Sequence, residues 1–286
     1  AKLREYESKN IKQDQLSSTS TLQGAFLAID AKTGGIRVMI GGRNYRESQF
    51  NRVTQAKRQA GSTFKPFVWL CALYNGYTPA SIVYDRPMFF YADSKMNWHL
   101  IEDATDEATI NDLIEPFAEN PDFKIWMPSN FDGKFLGAIT LRGALEKSRN
   151  LVSVYLVNNL GAPMVIDFAY RSGIKSKLDP VPSIALGTSL VSVIEMTAAF
   201  NTFANGGIYV EPFAVLKVVD NNGKVLEENI PKEREVFRPQ EVYLLVNMMK
   251  GVVNRGTGKI VSRLKRPIAG KTGTSQDSKD TWFIGF

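Results

Sequence analysis

The stretch GSTFKPFVWLCALYNG, residues 61–76, decides how this chain is read. It opens on small and polar residues and turns continuously apolar after Pro66. Proline lacks a backbone N–H, and its ring clashes with a preceding helical turn, so a helix accepts it only in the first turn. The helix carrying FVWLCALY therefore starts just before Pro66, and Asn75-Gly76 ends it. Ser62 then sits at the N-terminal end, where free backbone N–H groups and the helix dipole favour negative charge on its hydroxyl. Lys65 follows three residues later, on the same face and within reach of that hydroxyl. Gly61 lets another group approach the serine closely.

The scarce residues narrow the chemistry. The chain holds one cysteine, Cys71, and one histidine, His99. A disulfide within the chain is impossible, and a zinc site of the usual Cys/His kind is excluded; no metal and no cofactor is expected. Cys71 lies inside the apolar run and reads as a buried thiol. His99 lies in KMNWHLIED with no nucleophile motif nearby, so a Ser-His-Asp triad is not expected. A serine nucleophile then needs lysine as its base, and desolvation with neighbouring positive charge lowers an ammonium pKa far enough for that role.

Ser-x-x-Lys by itself is a weak signal, and it occurs three times: Ser62…Lys65, Ser172…Lys175 and Ser262…Lys265. Ser172 is followed by Gly173 at a helix end, and Ser262 runs toward Arg266-Pro267, where a strand is expected. Both of these read as surface residues. A second element, Ser148-Arg149-Asn150, lies between two helical runs. Its Ser and Asn can face one way and relay protons or bind an amide, or they can simply cap a helix. Ser8-Lys9-Asn10 repeats the pattern near the N-terminus. The third element is Lys271-Thr272-Gly273-Thr274, placed between Ile268-Ala269-Gly270 and a late strand. Gly273 on a strand lets a ligand lie against the backbone, and Lys271 with the threonine hydroxyls offers a seat for a carboxylate. Its decoy, Lys32-Thr33-Gly34, fits a hairpin turn.

The rest of the chain frames these elements. Of 286 residues, 44% are hydrophobic and 22% charged, enough for a sizeable core and ordinary for a folded protein. Net charge is +6, but the cations are scattered without a basic run, so nucleic acid is not an expected partner. No run of about 18 apolar residues occurs, and the polar N-terminus lacks a signal-peptide pattern. Residues 1–21 read as a linker. A hairpin is expected over Ala25–Ile29 and Ile36–Ile40, then an irregular, acidic stretch over about 77–138. Helical segments follow at about 141–147, 151–160 and 192–204, the last stopped by Asn205-Gly206-Gly207. A hairpin turns at Asn221-Asn222-Gly223, Pro239 opens a helix to about 253, and strands are expected over Pro267–Gly270 and Trp282–Phe286. Helices between an early hairpin and late strands imply an α+β fold, an antiparallel sheet built from both chain ends with helices packed on it.

Taken together and in this order, the three triplets are the marks of penicillin-binding proteins and related β-lactamases. The chain resembles the transpeptidase domain of a class A, bifunctional penicillin-binding protein. Trp126-Met-Pro-Ser-Asn130-Phe-Asp132-Gly133, Gly137–Leu145, Ala185–Ser189, Phe203–Gly207, Arg255–Gly258 and Arg266–Thr274 carry the likeness. It implies a central antiparallel sheet flanked by helices plus an all-helical subdomain. It also implies that residues 22–286 form the transpeptidase domain, with an insertion at about 93–125. A further strand and helix would follow Phe286, and a glycosyltransferase domain and membrane anchor would precede residue 1.

The roles implied by the resemblance fall on matching positions. Ser62 would attack the carbonyl between two D-alanines of a peptidoglycan stem peptide, with Lys65 taking its proton. Ser148 would relay that proton to the leaving amine, aided by Lys271, while Asn150 holds the substrate's amide. Thr272, Gly273 and Thr274 would bind the substrate, the two threonines at its terminal carboxylate, and the backbone N–H groups of Ser62 and Thr274 would form the oxyanion hole. A second peptide's amine would resolve the acyl-enzyme, and β-lactams would acylate the same serine. The expected location is the extracytoplasmic side of the bacterial inner membrane. A serine β-lactamase and a non-catalytic β-lactam sensor share the fold and remain alternatives.

Overall fold

The computed structural model describes residues 22–93, 95–101, 124–275 and 279–286. The expected linker, Ser8-Lys9-Asn10 and most of the expected insertion lie outside them.

The decisive stretch folds as read. Gly61–Phe64 forms one 3₁₀ turn that runs directly into helix α1, Lys65–Tyr74, with Pro66 in its first turn. A helix apolar on every side must be buried on every side. Phe67, Val68, Trp69, Leu70, Cys71 and Ala72 are all fully inaccessible. Around α1 pack α3 (Asn150–Leu160), α4 (Ala162–Arg171) and α6 (Pro239–Asn254), and α6 also packs on the short α2 (Leu141–Glu146). The Phe67 ring touches Phe203, centroids 5.6 Å apart, and Phe200 at 6.4 Å, both on α5 (Val193–Ala204). Helix α5 is opened by a capping box, in which Ser192 and Glu195 each accept the other's backbone N–H. Removing the Phe67 ring from such a core costs about 3–5 kcal/mol.

The strands come from both ends, as the α+β reading requires, but the two terminal pairs are hydrogen-bonded as separate two-stranded sheets rather than as one. Phe26–Ile29 pairs antiparallel with Ile36–Ile40, and Gly270–Thr274 with Thr281–Gly285. Both pairs contact α5, and a cleft of about 1500 Å³ lies between the Phe26–Ile29 and Thr281–Gly285 edges. The hairpin at Asn221-Asn222-Gly223 joins Lys217–Val219 to Val225–Glu228, with Gly223 at φ 82°.

Two expectations need correction. The stretch 77–138 is not irregular throughout. Ile82–Asp85 pairs with Gly137–Thr140, and Phe90–Ala92 lies between Trp98–Leu100 and Lys124–Trp126. In the first strand Val83 and Asp85 point inward while Ile82 and Tyr84 point outward. A carboxylate on the buried face and apolar residues on the exposed face invert the alternation by which a strand is recognised. The penultimate strand spans Gly270–Thr274 rather than Pro267–Gly270, so Lys271, Thr272 and Gly273 lie within it.

Candidate active site

Two fully buried lysines meet at one serine. Lys65 Nζ reaches Ser148 O at 2.6 Å, Asn150 Oδ1 at 2.7 Å and Ser148 Oγ at 3.3 Å. Lys271 Nζ donates to Ser148 Oγ at 2.8 Å and to Thr272 O at 3.0 Å. Both side chains are fully inaccessible. Burial pushes the Lys65 ammonium well below its ordinary pKa; Lys271 and Arg149 push it further down, and Asp85 opposes them. Burial also brings Lys271 down, to about 7. A neutral Lys65 still has two N–H donors for the carbonyl oxygens of Ser148 and Asn150.

Ser62 is half-buried in the 3₁₀ turn, and its carbonyl accepts the backbone N–H of Lys65. Among the described residues its hydroxyl makes no hydrogen bond, to Lys65 or to any other group; the bonds of Lys65 Nζ go to Ser148 and Asn150. The strand Gly270–Thr274 lies directly against this turn. A Cβ on Gly61, whose φ is +56°, would stand 2.5 Å from Thr274 O and 3.2 Å from Thr274 N. One on Gly273 would stand 2.7 Å from Ala60 O. The absence of side chains at these two positions lets the turn and the strand touch backbone to backbone. The backbone of Thr274 thus adjoins that of Ser62. Thr274 is exposed, and Thr272 Oγ1 is bonded to Thr257 Oγ1 at 2.6 Å.

The Ser148–Asn150 turn is held from behind. Ser148 has φ 56°, a left-handed conformation that costs a residue with a Cβ about 1–2 kcal/mol. Ordinary capping, the bland reading of this triplet, does not describe it. Arg149 occupies the N-cap position of α3 without a side-chain cap, and Ser148 Oγ faces the lysines. The acceptor is Asn130 Oδ1, which takes the N–H of Asn150 at 2.8 Å. Arg149 is buried and pairs with the fully buried Asp85 at 2.8 Å, with Asp132 at 3.0 Å, and with Lys134 O. Behind Ser148, Glu146 bonds Arg255 at 2.5 Å and accepts the N–H of Thr257 at 3.2 Å, which sets Thr257 beside Thr272.

The sequence alone points to no role for Asp85, Asn130 or Thr257. Asn130 and Thr257 lie in runs that carried the resemblance; Asp85 had no signal beyond an inverted strand pattern.

The other candidates fall elsewhere. Ser172 is buried, not on the surface, because its hydroxyl donates back to Phe168 O at 2.8 Å and needs no water. Ser262 is exposed and bonds Lys259 O. Lys32-Thr33-Gly34 is the hairpin turn, with Gly34 at φ 78°. Burial pushes the Cys71 thiol up to about 12, which makes it inert. His99 stacks on Tyr91 and bonds Asp93 at 3.2 Å. Among the described residues no group of three or more His, Cys, Asp or Glu could hold a metal ion, and no single helix is long and apolar enough to cross a membrane.

The model of the penicillin-binding protein transpeptidase domain family matches residues 24–116 and 104–286. A penicillin-binding protein 1A of Aquifex aeolicus is 39% identical over 93% of this chain and 33% of its own length. One of Neisseria lactamica is 36% identical over 93% of this chain and 31% of its own. The chain thus spans about a third of the length of the curated relatives it matches. The crystal structure of penicillin-binding protein 1A from Haemophilus influenzae superposes with a TM-score of 0.78 at 25% identity, over 92% of this chain and 41% of that one.

Proposed function

This chain belongs to the penicillin-binding protein transpeptidase family, and from that premise we propose that it cross-links peptidoglycan stem peptides as a serine D,D-transpeptidase. The observation that carries the reading is the convergence of two buried, pKa-lowered lysines on Ser148 beside the helix start that holds Ser62. Ser62 Oγ attacks the carbonyl between two D-alanines as neutral Lys65 takes its proton. Backbone N–H groups of Ser62 and Thr274 hold the oxyanion, a contribution of about 3–4 kcal/mol per donor. Ser148 passes a proton to the departing D-alanine amine, and Lys271 replenishes it. Asn150 holds the donor's amide, and Thr272 and Thr274 hold its carboxylate, while Gly273 between them lets the strand lie against the turn that carries Ser62. The peptide–D-alanine bond breaks, the Ser62 ester forms, and an amine of a second stem peptide displaces the serine. The reaction takes place on the extracytoplasmic side of the inner membrane, in a protein that also carries a glycosyltransferase domain and an anchor. β-Lactams present the same carbonyl and acylate the same serine.

Mass spectrometry after incubation with benzylpenicillin tests this. The expected result is a stable adduct on Ser62 that is lost in Ser62→Ala. Rapid hydrolysis without an adduct would indicate a β-lactamase, and no reaction at all would overturn the reading. Transpeptidation of peptide donors separates the enzyme from a sensor that only acylates.

A further inference from the structure

We propose that Asn130 is a positioning residue for acyl transfer, capping from 20 residues upstream the helix that begins at Asn150 and so holding Ser148 and Asn150 against Lys65. The inference rests on the function proposed above.

A helix leaves its first N–H groups without intrahelical partners, and a side chain of the N-cap residue usually accepts one. At α3 that residue is Arg149, whose guanidinium has donors only and is spent on Asp85 and Asp132. Asn130 does the work from outside. Its Oδ1 accepts from Asn150 N at 2.8 Å and Leu151 N at 3.4 Å. Its Nδ2 donates to Asp85 Oδ1 at 2.8 Å and to Lys134 O at 2.9 Å. A primary amide has two donor hydrogens and two lone pairs, and all four are used here. Only 4% of the residue is accessible, so water cannot stand in for any of them.

The preceding residue completes the hold. Ser129 O accepts Asn150 Nδ2 at 2.9 Å, which turns Asn150 Oδ1 toward Lys65 Nζ. The dipeptide Ser129-Asn130 thus grips Asn150 by both side chain and backbone. It holds the left-handed Ser148 in the one place where both lysines reach its hydroxyl. Displacing such a group by an ångström is enough to cost about 100-fold in rate.

The test uses the full-length protein and stopped-flow acylation by a fluorescent penicillin, resolving drug binding from the acylation step. Asn130→Ala is compared with Val165→Ala, a cavity in α4 away from the site. Asn130→Ala is expected to lower the acylation rate constant by about 100-fold with little change in drug binding, while Val165→Ala, matched in melting temperature, keeps the wild-type rate constant. If Asn130→Ala does not fold, Asn130→Ser, which leaves room for a water, is read in its place with an expected loss of about tenfold. A folded Asn130 variant within about threefold of wild type overturns this inference alone. Equal losses in Asn130→Ala and Val165→Ala also overturn it, since the effect would then follow stability. A wild-type protein that takes up no label overturns the function above, and this inference with it.

Discussion

Lys271 Nζ lies 2.8 Å from Ser148 Oγ, and the same oxygen lies 3.3 Å from Lys65 Nζ. One hydroxyl proton cannot satisfy two amine lone pairs, and two buried ammonium groups repel. Beyond burial, Lys271 and Arg149 both push the Lys65 ammonium down, so Lys65 is the lysine more readily neutral, and Lys271 donates to Ser148 Oγ. Both lysines thus lie within reach of one hydroxyl, the arrangement that the proposed proton relay needs.

Burial of Lys271 has a pH signature in stability. Its pKa is about 7 when folded, against 10.5 unperturbed. Below about 7 both states carry the proton, and folding pays the full burial penalty. Between there and the unperturbed value the unfolded chain binds a proton that the folded chain does not, so stability rises with pH. In Lys271→Met this contribution is absent. Urea denaturation at about pH 7 and about pH 9 is expected to show the wild type gaining roughly 1–3 kcal/mol more than the variant. Equal gains would mean that Lys271 is not desolvated as described.

Ser148 separates strain from chemistry. Its φ of 56° suits glycine, which adopts that conformation without the Cβ clash. Ser148→Ala loses the hydroxyl and keeps the strain; Ser148→Gly loses both. The glycine variant is expected to be the more stable by about 1 kcal/mol in thermal unfolding, while both acylate about 100-fold more slowly than wild type. A glycine variant less stable than the alanine variant would contradict the strain.

What could be read from sequence, and what could not, follows from range. Pro66 marks a helix start through its own missing N–H, so the Ser62–Lys65 turn was legible locally. The Asn221-Asn222-Gly223 and Asn205-Gly206-Gly207 signals worked for the same reason. Asp85 was not legible, because a buried carboxylate is explained only by an arginine 64 residues later. Asn130 looked like loop, because the helix it caps begins 20 residues further on. Ser172 reads as exposed but is buried, since nothing in its spacing reports a hydroxyl bonded back into its own helix.

The Asp85–Arg149 pair predicts an asymmetry. Both groups are buried, and Asp85 also accepts from Asn130 and from Leu136 N at 3.0 Å. Asp85→Ala strands a buried guanidinium and is expected to cost about 3–5 kcal/mol in urea unfolding. Arg149→Met added to Asp85→Leu removes both charges and is expected to recover part of that loss. A double variant no more stable than Asp85→Ala would show that the stranded charge is not the cause.

Gly61 supplies the strictest steric prediction. Three backbone segments meet at this residue. Its N–H donates to Gly187 O at 3.1 Å, and its own carbonyl oxygen would stand 2.2 Å from a Cβ on Gly187. On its other side Thr274 O would stand 2.5 Å from a Cβ on Gly61 itself. Backbone cannot swing aside as a side chain does, so Gly61→Ala must displace the Gly270–Thr274 strand or the turn carrying Ser62. The φ of +56° adds left-handed strain. Strand displacement moves Thr274 N away from Ser62, the two donors proposed for the oxyanion. Losing one such donor costs about 100-fold or more in rate. Gly61→Ala is therefore expected to acylate at least about 100-fold more slowly than wild type and to melt at lower temperature. Gly76→Ala is the control, because its Cβ would meet nothing within 4 Å although its φ is +87°. It carries backbone strain alone, and its acylation rate is expected to stay at the wild-type value. A Gly61→Ala protein that acylates like Gly76→Ala would show that the strand and the turn are not locked together.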